Sequence, residues 1–252
     1  MNLEAITVNR NISSVLRGNK YATISASEYS IIPELAKSRH QLWADWNDLQ
    51  PDNYLKNGAS FRLRRFANFY FQPSNQEILA LEHTPYFQSS ELNSYAGNIQ
   101  RHLAHLKDST LINQFLHELI KMNFKQFPMS EKMANNTWKI DVHQIRIVAT
   151  SDEAGEPTPE GIHHDENEFG AMHLIERHNI LDGVNTVYDN AKNPLESLTL
   201  NHPMDSLIIW DPHVMHSVST VRPDNVSENA FRDMLLIGYC YAPDLNRPNL
   251  AA

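Results

Sequence analysis

The chain has 252 residues, of which 41% are hydrophobic and 20% charged, the composition of a globular protein with a substantial core. Its formal net charge is -9 and it has no block of Lys or Arg, so we expect no nucleic-acid partner. The single cysteine, Cys240, excludes an internal disulfide framework, and no segment approaches the roughly 20 apolar residues of a membrane span. We therefore expect a cytoplasmic protein with no membrane partner, and no feature of the sequence predicts an oligomeric state.

The first half of the chain, to about residue 130, is predicted to be mainly helical. Ser27 is a candidate N-cap for a first helix. The segment 61–71 is rich in aromatic residues and is predicted to be a strand. The strongest helix covers residues 108–127, where apolar pairs repeat every four residues behind a cap at Asp108 or Ser109. Its apolar stripe is expected to lie on a sheet.

The second half changes to short segments with the period of strands, separated by Pro, Gly, Asn and Asp clusters. Many short strands with helices outside them predict a mainly β fold with flanking helices, either a β-sandwich or a jelly-roll barrel. No shift in composition marks a second domain. We expect one domain over residues 1–252, with a helical part at about 1–130 and a β-rich core at about 137–242.

The segment Glu160 to Gly170 contains two imidazoles and four carboxylates. If the segment is a strand, His163 and Asp165 share a face and His164 points away. Two histidines and one carboxylate on one face, with open positions opposite, form the ligand set of non-haem Fe(II) oxygenases. A third ligand must come from a later histidine. The candidates are His173, His178, His202, His213 and His216.

His216 is the preferred third ligand because it begins an alternating strand, whereas His213 lies in the turn at Pro212. Further along the chain, Arg232 opens the last strong strand. A buried guanidinium is costly unless it meets an anion, and its natural partner is a carboxylate.

Other interpretations of these residues stay open at this point. The acidic segment could be a solvated turn and His216 a core histidine. The doublet His164-Asp165 is typical of metal phosphohydrolases, which place it on a helix, and His213-x-x-His216 could be a zinc pair, although no thiols accompany it. A divalent-metal hydrolase and a non-catalytic metal-binding barrel are therefore the alternatives to an oxygenase.

The chain resembles the bacterial 2-oxoglutarate/Fe(II) dioxygenases that hydroxylate free amino acids, the L-isoleucine dioxygenase-like family. The resemblance runs from about residue 61 to 242, with motifs in the family's order. These are Arg62-x-Arg64, Tyr86-Phe87-Gln88-Ser89, His143-Gln144-Ile145-Arg146, His163-x-Asp165, His173-Leu174, His216-x-Val218 and Ala230-Phe231-Arg232-Asp233.

The resemblance implies a double-stranded β-helix (a cupin-like jelly roll) and an enzyme that hydroxylates a C–H bond of a free, aliphatic L-amino acid. It implies Fe(II) held by His163, Asp165 and His216, with 2-oxoglutarate as cosubstrate bound through Arg232. Dioxygen is then the oxidant, and succinate and CO2 are the co-products.

A small zwitterionic substrate needs charge-assisted contacts to both of its charged groups. We expect one of Arg62, Arg64 and Arg146 to hold its carboxylate, and acidic residues near the proposed ligands, Glu166 and Glu168, to be available for its ammonium group.

Overall fold

The structure, a computed structural model, describes residues 4–90 and 95–248. Antiparallel strands dominate it. The strands are β1 (Ile6–Val8), β2 (Tyr21–Ile24), β3 (Tyr29–Ile31), β4 (Gln50–Pro51), β5 (Arg62–Gln72), β6 (Glu77–Ala80), β7 (Trp138–Ala149), β8 (Phe169–His178), β9 (Ile180–Asp182), β10 (Asn185–Tyr188), β11 (Pro194–Leu198), β12 (Ser206–Ile209), β13 (Met215–Val218), β14 (Val221–Pro223) and β15 (Ala230–Tyr241). The helices are α1 (Ile12–Asn19), α2 (Ala36–Ala44), α3 (Asp108–Leu111), α4 (Gln114–Gln126) and α5 (Glu131–Ala134).

The main sheet has the strand order β2-β12-β8-β15-β7-β5-β4, with β6 paired to β5. Its pairs are antiparallel throughout. The three long strands β5, β7 and β15 lie next to one another at its centre. β5 is the strand predicted over residues 61–71, and β15 is the predicted last strand that contains Arg232. Because side chains alternate along a strand, each of these strands has one face toward the helices and one toward the interior of the barrel.

The helix-facing side of the main sheet is covered by α4. Phe115, Leu116 and Leu119 of α4 are fully buried in the same hydrophobic cluster as Phe69 of β5 and Trp138 of β7. Burying a large apolar side chain stabilises the fold by roughly 1.5–3 kcal/mol. The expectation that this helix lies on a sheet is therefore confirmed. Within the part of the chain that the structure describes, no helix combines the length and the apolar character needed to span a bilayer.

The boundaries of the early helices differ from the prediction. Ser27 lies in a 3-10 turn, and α2 begins only at Ala36. The reason is Pro33, which disfavours a helical conformation in the residue before it, and Ile32 is extended. The segment 108–127 is divided into α3 and α4, and the cap of α4 is Asn113, whose side chain accepts the Leu116 N–H. The first half of the chain also contains β1 to β6, so it is mixed rather than mainly helical.

A second, three-stranded sheet, β11-β10-β13, faces the inner side of the main sheet. Val187 of β10 packs in one cluster with Met172 and Leu174 of β8, Leu207 of β12 and Met234 of β15. Two facing antiparallel sheets with helices on the outside form the predicted jelly roll, and this fold class is confirmed. The space between the sheets opens into a cavity lined by residues of β5, β7, β8, β13 and β15.

Candidate metal centre and cosubstrate site

His163, Asp165 and His216 converge at the cavity. His163 and His216 form an isolated antiparallel bridge, with backbone N–H to carbonyl distances of 3.1 and 3.0 Å. The Nε2 atom of His163 lies 3.3 Å from Asp165 Oδ1, and that of His216 lies 3.6 Å from Asp165 Oδ2. One ligand atom from each residue lies within 4.8 Å of the other two. The three side chains could therefore hold one metal ion.

The segment that carries His163 and Asp165 is a loop rather than the strand expected from the sequence. Only the bridge at His163 is extended, and Glu166 turns the chain with φ 68°. The prediction that His164 points away is nevertheless confirmed, because its Nδ1 lies 2.7 Å from the Asp211 carbonyl oxygen. A short extended stretch at the bridge is enough to place His163 and Asp165 on the same side.

Asp211 holds this loop in place, a role that was not predicted. Its carboxylate accepts the Asp165 N–H at 3.0 and 3.1 Å and the Asn167 N–H at 3.3 Å, and the residue is 2% exposed. Burial and the charge of Asp165 raise the pKa of Asp211 to about 7. The signal for Asp211 in the sequence is an acidic residue just after an apolar segment and before Pro212, a pattern that by itself predicts only a turn.

The protonation states suit a metal site. Burial lowers the pKa of His216 to about 4, so its imidazole is neutral at pH 7. Burial opposes the charge of Asp165, but His216 and His163 hold its pKa well below the usual range. Burial would lower the pKa of His163, but its hydrogen bond to Asp165 and the charge of that carboxylate outweigh burial and raise the pKa to about 9.

His163 therefore carries a proton that a metal would replace. The orientation of its ring is set by Nδ1, which lies 2.9 Å from the Gly161 carbonyl and leaves Nε2 facing the other two ligands. Two imidazoles and one carboxylate on one side of an open cavity fit the ligand set of a non-haem Fe(II) centre.

Arg232 opens onto the same cavity from β15. Its guanidinium is 3% exposed and donates to Asn185 Oδ1 at 3.2 Å, while its Nε has no hydrogen-bond partner among the described residues. Burial and the neighbouring Arg177 lower the pKa of Arg232 to about 10. No carboxylate of residues 4–90 or 95–248 forms an ion pair with it. Arg232 is thus a buried cation whose surroundings favour an added anion.

The three other predicted arginines divide between the two faces of the sheet. Arg62 and Arg64 line the cavity, where Arg62 Nε lies 2.7 Å from Asp52 Oδ2. Arg146 lies on the opposite face of β7 and binds Asp233 through hydrogen bonds of 2.7 and 2.6 Å. The structure does not bring Arg146 to the cavity, because its position in the alternation of β7 places it on the helix-facing side, and this part of the prediction is corrected.

The two acidic residues predicted to be available for the substrate ammonium group, Glu166 and Glu168, form hydrogen bonds outside the cavity. Glu166 accepts hydrogen bonds from the Ser89 backbone and hydroxyl, and Glu168 accepts the Tyr241 N–H. Neither carboxylate lines the cavity. His173, one of the candidates for the third ligand, lies on the helix-facing side, where its Nε2 is 2.9 Å from the Asn123 side chain of α4.

Comparisons with known proteins give consistent relatives. The chain is 24% identical over 204 residues to an L-isoleucine-4-hydroxylase of Bacillus thuringiensis, which covers 80% of this chain and 82% of that protein. It is 22% identical over 237 residues to a 3(1)-hydroxy-L-isoleucine 4-dioxygenase of Pantoea ananatis, covering 93% of this chain and 94% of the other.

Two solved structures share the fold. A bsmA homolog from Methylobium petroleophilum PM1 matches with a TM-score of 0.80 at 24% identity, covering 92% of this chain and 94% of that one. The structure of IDO from Bacillus thuringiensis matches with a TM-score of 0.75 at 19% identity, covering 91% and 97%.

The family profile of the 2OG-Fe dioxygenases matches residues 44–238, which contain all the residues that line the cavity. This match supports the oxygenase interpretation and neither the hydrolase nor the non-catalytic barrel. Fe(II), 2-oxoglutarate and O2 are the cofactor and cosubstrates of that family, and the metal-ligand set described here fits them. The chain belongs to the 2OG-Fe dioxygenase family and is a 2-oxoglutarate-dependent dioxygenase.

Proposed function

We propose that this dioxygenase hydroxylates a C–H bond of a free aliphatic L-amino acid. In this proposal Fe(II) is held by His163, Asp165 and His216, and Arg232 binds the distal carboxylate of 2-oxoglutarate. The names of the two curated relatives, which both act on isoleucine or its hydroxylated form, support the substrate class.

The observation that carries the proposal is that one cavity contains both the three converging ligands and the unpaired buried Arg232. A dicarboxylate that contacts the metal at one end needs a cation for its other end. A hydrolytic metal site would leave Arg232 without a function.

The reaction consumes the amino acid, 2-oxoglutarate and O2 and yields the hydroxylated amino acid, succinate and CO2. Bound Fe(II) supplies the activation of dioxygen. The residues of the chain position the reactants: Asp211 orients the loop that carries Asp165, and Arg232 anchors the cosubstrate. Met172, Met234 and Leu236 contribute an apolar wall that suits an aliphatic side chain and limits water near the reacting bond.

We also propose that the chain forms one domain and that it is located in the cytoplasm. The helices pack on the sheet that carries the site, which supports one domain over residues 1–252. The lone thiol of Cys240 supports a reducing, cytoplasmic location.

The test is to load the protein with Fe(II) without oxygen and then add O2 and 2-oxoglutarate with each of the twenty amino acids in turn. We expect succinate release and a mass gain of one oxygen on an aliphatic amino acid. Hydroxylation only of peptides, or of a compound that is not an amino acid, would contradict the proposed substrate class while leaving the family assignment in place.

A further inference from the structure

Three arginines cluster in the wall of the cavity. Arg62 and Arg64 come from β5, and Arg101 comes from the segment before α3. All are buried, with 6%, 7% and 2% of their surfaces exposed. Two of them contact the Tyr86 ring, whose centroid lies 5.1 Å from the Arg64 guanidinium carbon and 4.6 Å from that of Arg101. Backbone hydrogen bonds of 2.9 Å in both directions join Tyr86 to Arg101.

One carboxylate of residues 4–90 and 95–248, that of Asp52, lies within ion-pair distance of the cluster. Asp52 contacts it at 2.7 Å from Arg62 Nε and 3.8 Å from Arg64 Nη1. Arg64 also hydrogen-bonds to the Nδ1 atom of His143, a neutral imidazole because burial and the neighbouring arginines lower the pKa of His143. Burial and the repulsion of Arg62 lower the pKa of Arg64 to about 10, so an anion bound beside Arg64 would stabilise its charge.

Arg101 is the least satisfied member of the cluster. Its guanidinium donates to Gln88 Oε1 at 2.7 Å, a neutral acceptor. Its Nε is buried and has no hydrogen-bond partner within residues 4–90 and 95–248. The charge of Glu160 acts on Arg101, but no carboxylate of these residues lies within ion-pair distance of it. A buried cation in this state is stabilised by a bound anion.

The register of the main sheet separates this cluster from the proposed cosubstrate site. Arg232 of β15 and Arg62 of β5 are both paired with Ile147 of β7, so they lie two strands apart. At a strand spacing of 4.7–4.9 Å, their backbones are roughly 10 Å apart. The cavity therefore has two cationic regions, and the proposed use of Arg232 by 2-oxoglutarate leaves the arginine cluster available for a different carboxylate.

We propose that Arg101, which contacts the same Tyr86 ring as Arg64, binds the α-carboxylate of the amino-acid substrate. The inference rests on the proposed function and assigns this contact among the cavity arginines. Arg62 is already paired with Asp52, which leaves Arg101 as the residue with an unused donor. A carboxylate held here places the apolar side chain of the substrate in the same cavity as the proposed metal ligands.

The experiment compares the native enzyme with Arg101→Met, Arg101→Lys and the surface control Arg247→Met, which removes an exposed ion pair to Glu77. Each is assayed with the accepted amino acid and with its primary amide, which lacks the carboxylate charge. Mn(II) affinity and the KM for 2-oxoglutarate report on the rest of the site.

We expect Arg101→Met to raise the KM for the amino acid by about 30-fold or more, the effect of leaving a buried carboxylate unpaired. The KM for 2-oxoglutarate and the Mn(II) affinity should be unchanged, and the native preference for the acid over the amide should shrink. Arg101→Lys keeps the positive charge but not the paired N–H donors of the guanidinium, so its KM for the amino acid should rise by less. Arg247→Met should behave as the native enzyme.

If Arg101→Met raises the KM for the amino acid and for its amide equally, or leaves the KM for the amino acid unchanged, the inference is overturned while the hydroxylase proposal stands. If Arg101→Met does not fold, the inference is tested by Arg101→Lys and by the KM of the native enzyme for the amino acid and for its amide. A native enzyme that uses the amide as well as the acid does not recognise the carboxylate. A native enzyme that turns over no free amino acid overturns the proposed function together with this inference.

Discussion

Replacing Asp211 by Asn is expected to weaken metal binding although Asp211 is not a proposed ligand. The Asp211 carboxylate accepts N–H groups from Asp165 and Asn167 and so holds the loop between them. The amide of Asn keeps one oxygen acceptor but presents an NH2 group to the second donor. The substitution removes about one hydrogen bond to a charged acceptor, worth about 1.5–3 kcal/mol.

If nearly all of that energy is lost as misorientation of Asp165, metal affinity falls by about 10- to 100-fold, the usual effect of removing a group that orients a ligand. The measurement is a calorimetric titration with Mn(II) at pH 8, above the pKa of about 7 at which Asp211 ionises. Thermal unfolding measured on the same samples separates metal binding from stability.

Asp205→Asn is the matched control. Asp205 is likewise an acceptor of backbone N–H groups, from Ala26, Asn201 and His202, but none of these donors belongs to the loop that carries Asp165. It should lower the melting temperature without a change in Mn(II) affinity. Native metal affinity in Asp211→Asn, with the same loss of stability as the control, would refute the role of Asp211 in positioning Asp165.

Three further predictions concern the proposed roles. Alanine at any one of the three proposed metal ligands should abolish succinate formation. His213→Ala, which removes a ring in edge-to-face contact with Trp210, should retain most of it, and the reverse result would reassign the distal ligand. Arg232→Met should raise the KM for 2-oxoglutarate by about 30-fold or more with Mn(II) affinity retained, since a buried carboxylate loses its partner, and an unchanged KM would remove Arg232 from the site. Because the pKa of His163 is raised to about 9, metal binding at pH 7 must displace its proton, so Mn(II) affinity should increase with pH and level off above about 9. Titrations in two buffers of different ionisation enthalpy should count the released proton, and a pH-independent affinity would show that His163 is neutral in the metal-free protein.

Local periodicity was sufficient to locate the long elements. The aromatic segment at 61–71 is β5, and the four-residue repeat of apolar pairs is α4, because each has one apolar face whose spacing is visible in the sequence. The short strands of the first half could not be found in this way. β2 pairs with β12, far along the chain, and a strand of four residues is stabilised by its partner rather than by its own pattern.

The residue types and their spacing determined the chemistry of the candidate site. His163, Asp165, His216 and Arg232 could be chosen from the sequence because few side chains can hold a metal or a buried carboxylate. Only the tertiary structure decided which arginines share the cavity with them. Arg146 and Arg64 lie on β7 and β5, and the register of the antiparallel ladder places them on opposite faces.

Arg101 and Asp211 were missed for the same physical reason. Each lies outside the regular strands, where no periodicity indicates the direction of a side chain. Arg101 reaches the cavity through its bridge to Tyr86, and Asp211 reaches the loop of Asp165 through a turn after β12. The sequence determined which side chains could do the chemistry, and the long-range pairing of the chain determined which of them meet, since hydrogen bonds between distant segments are not encoded in the local pattern of either one.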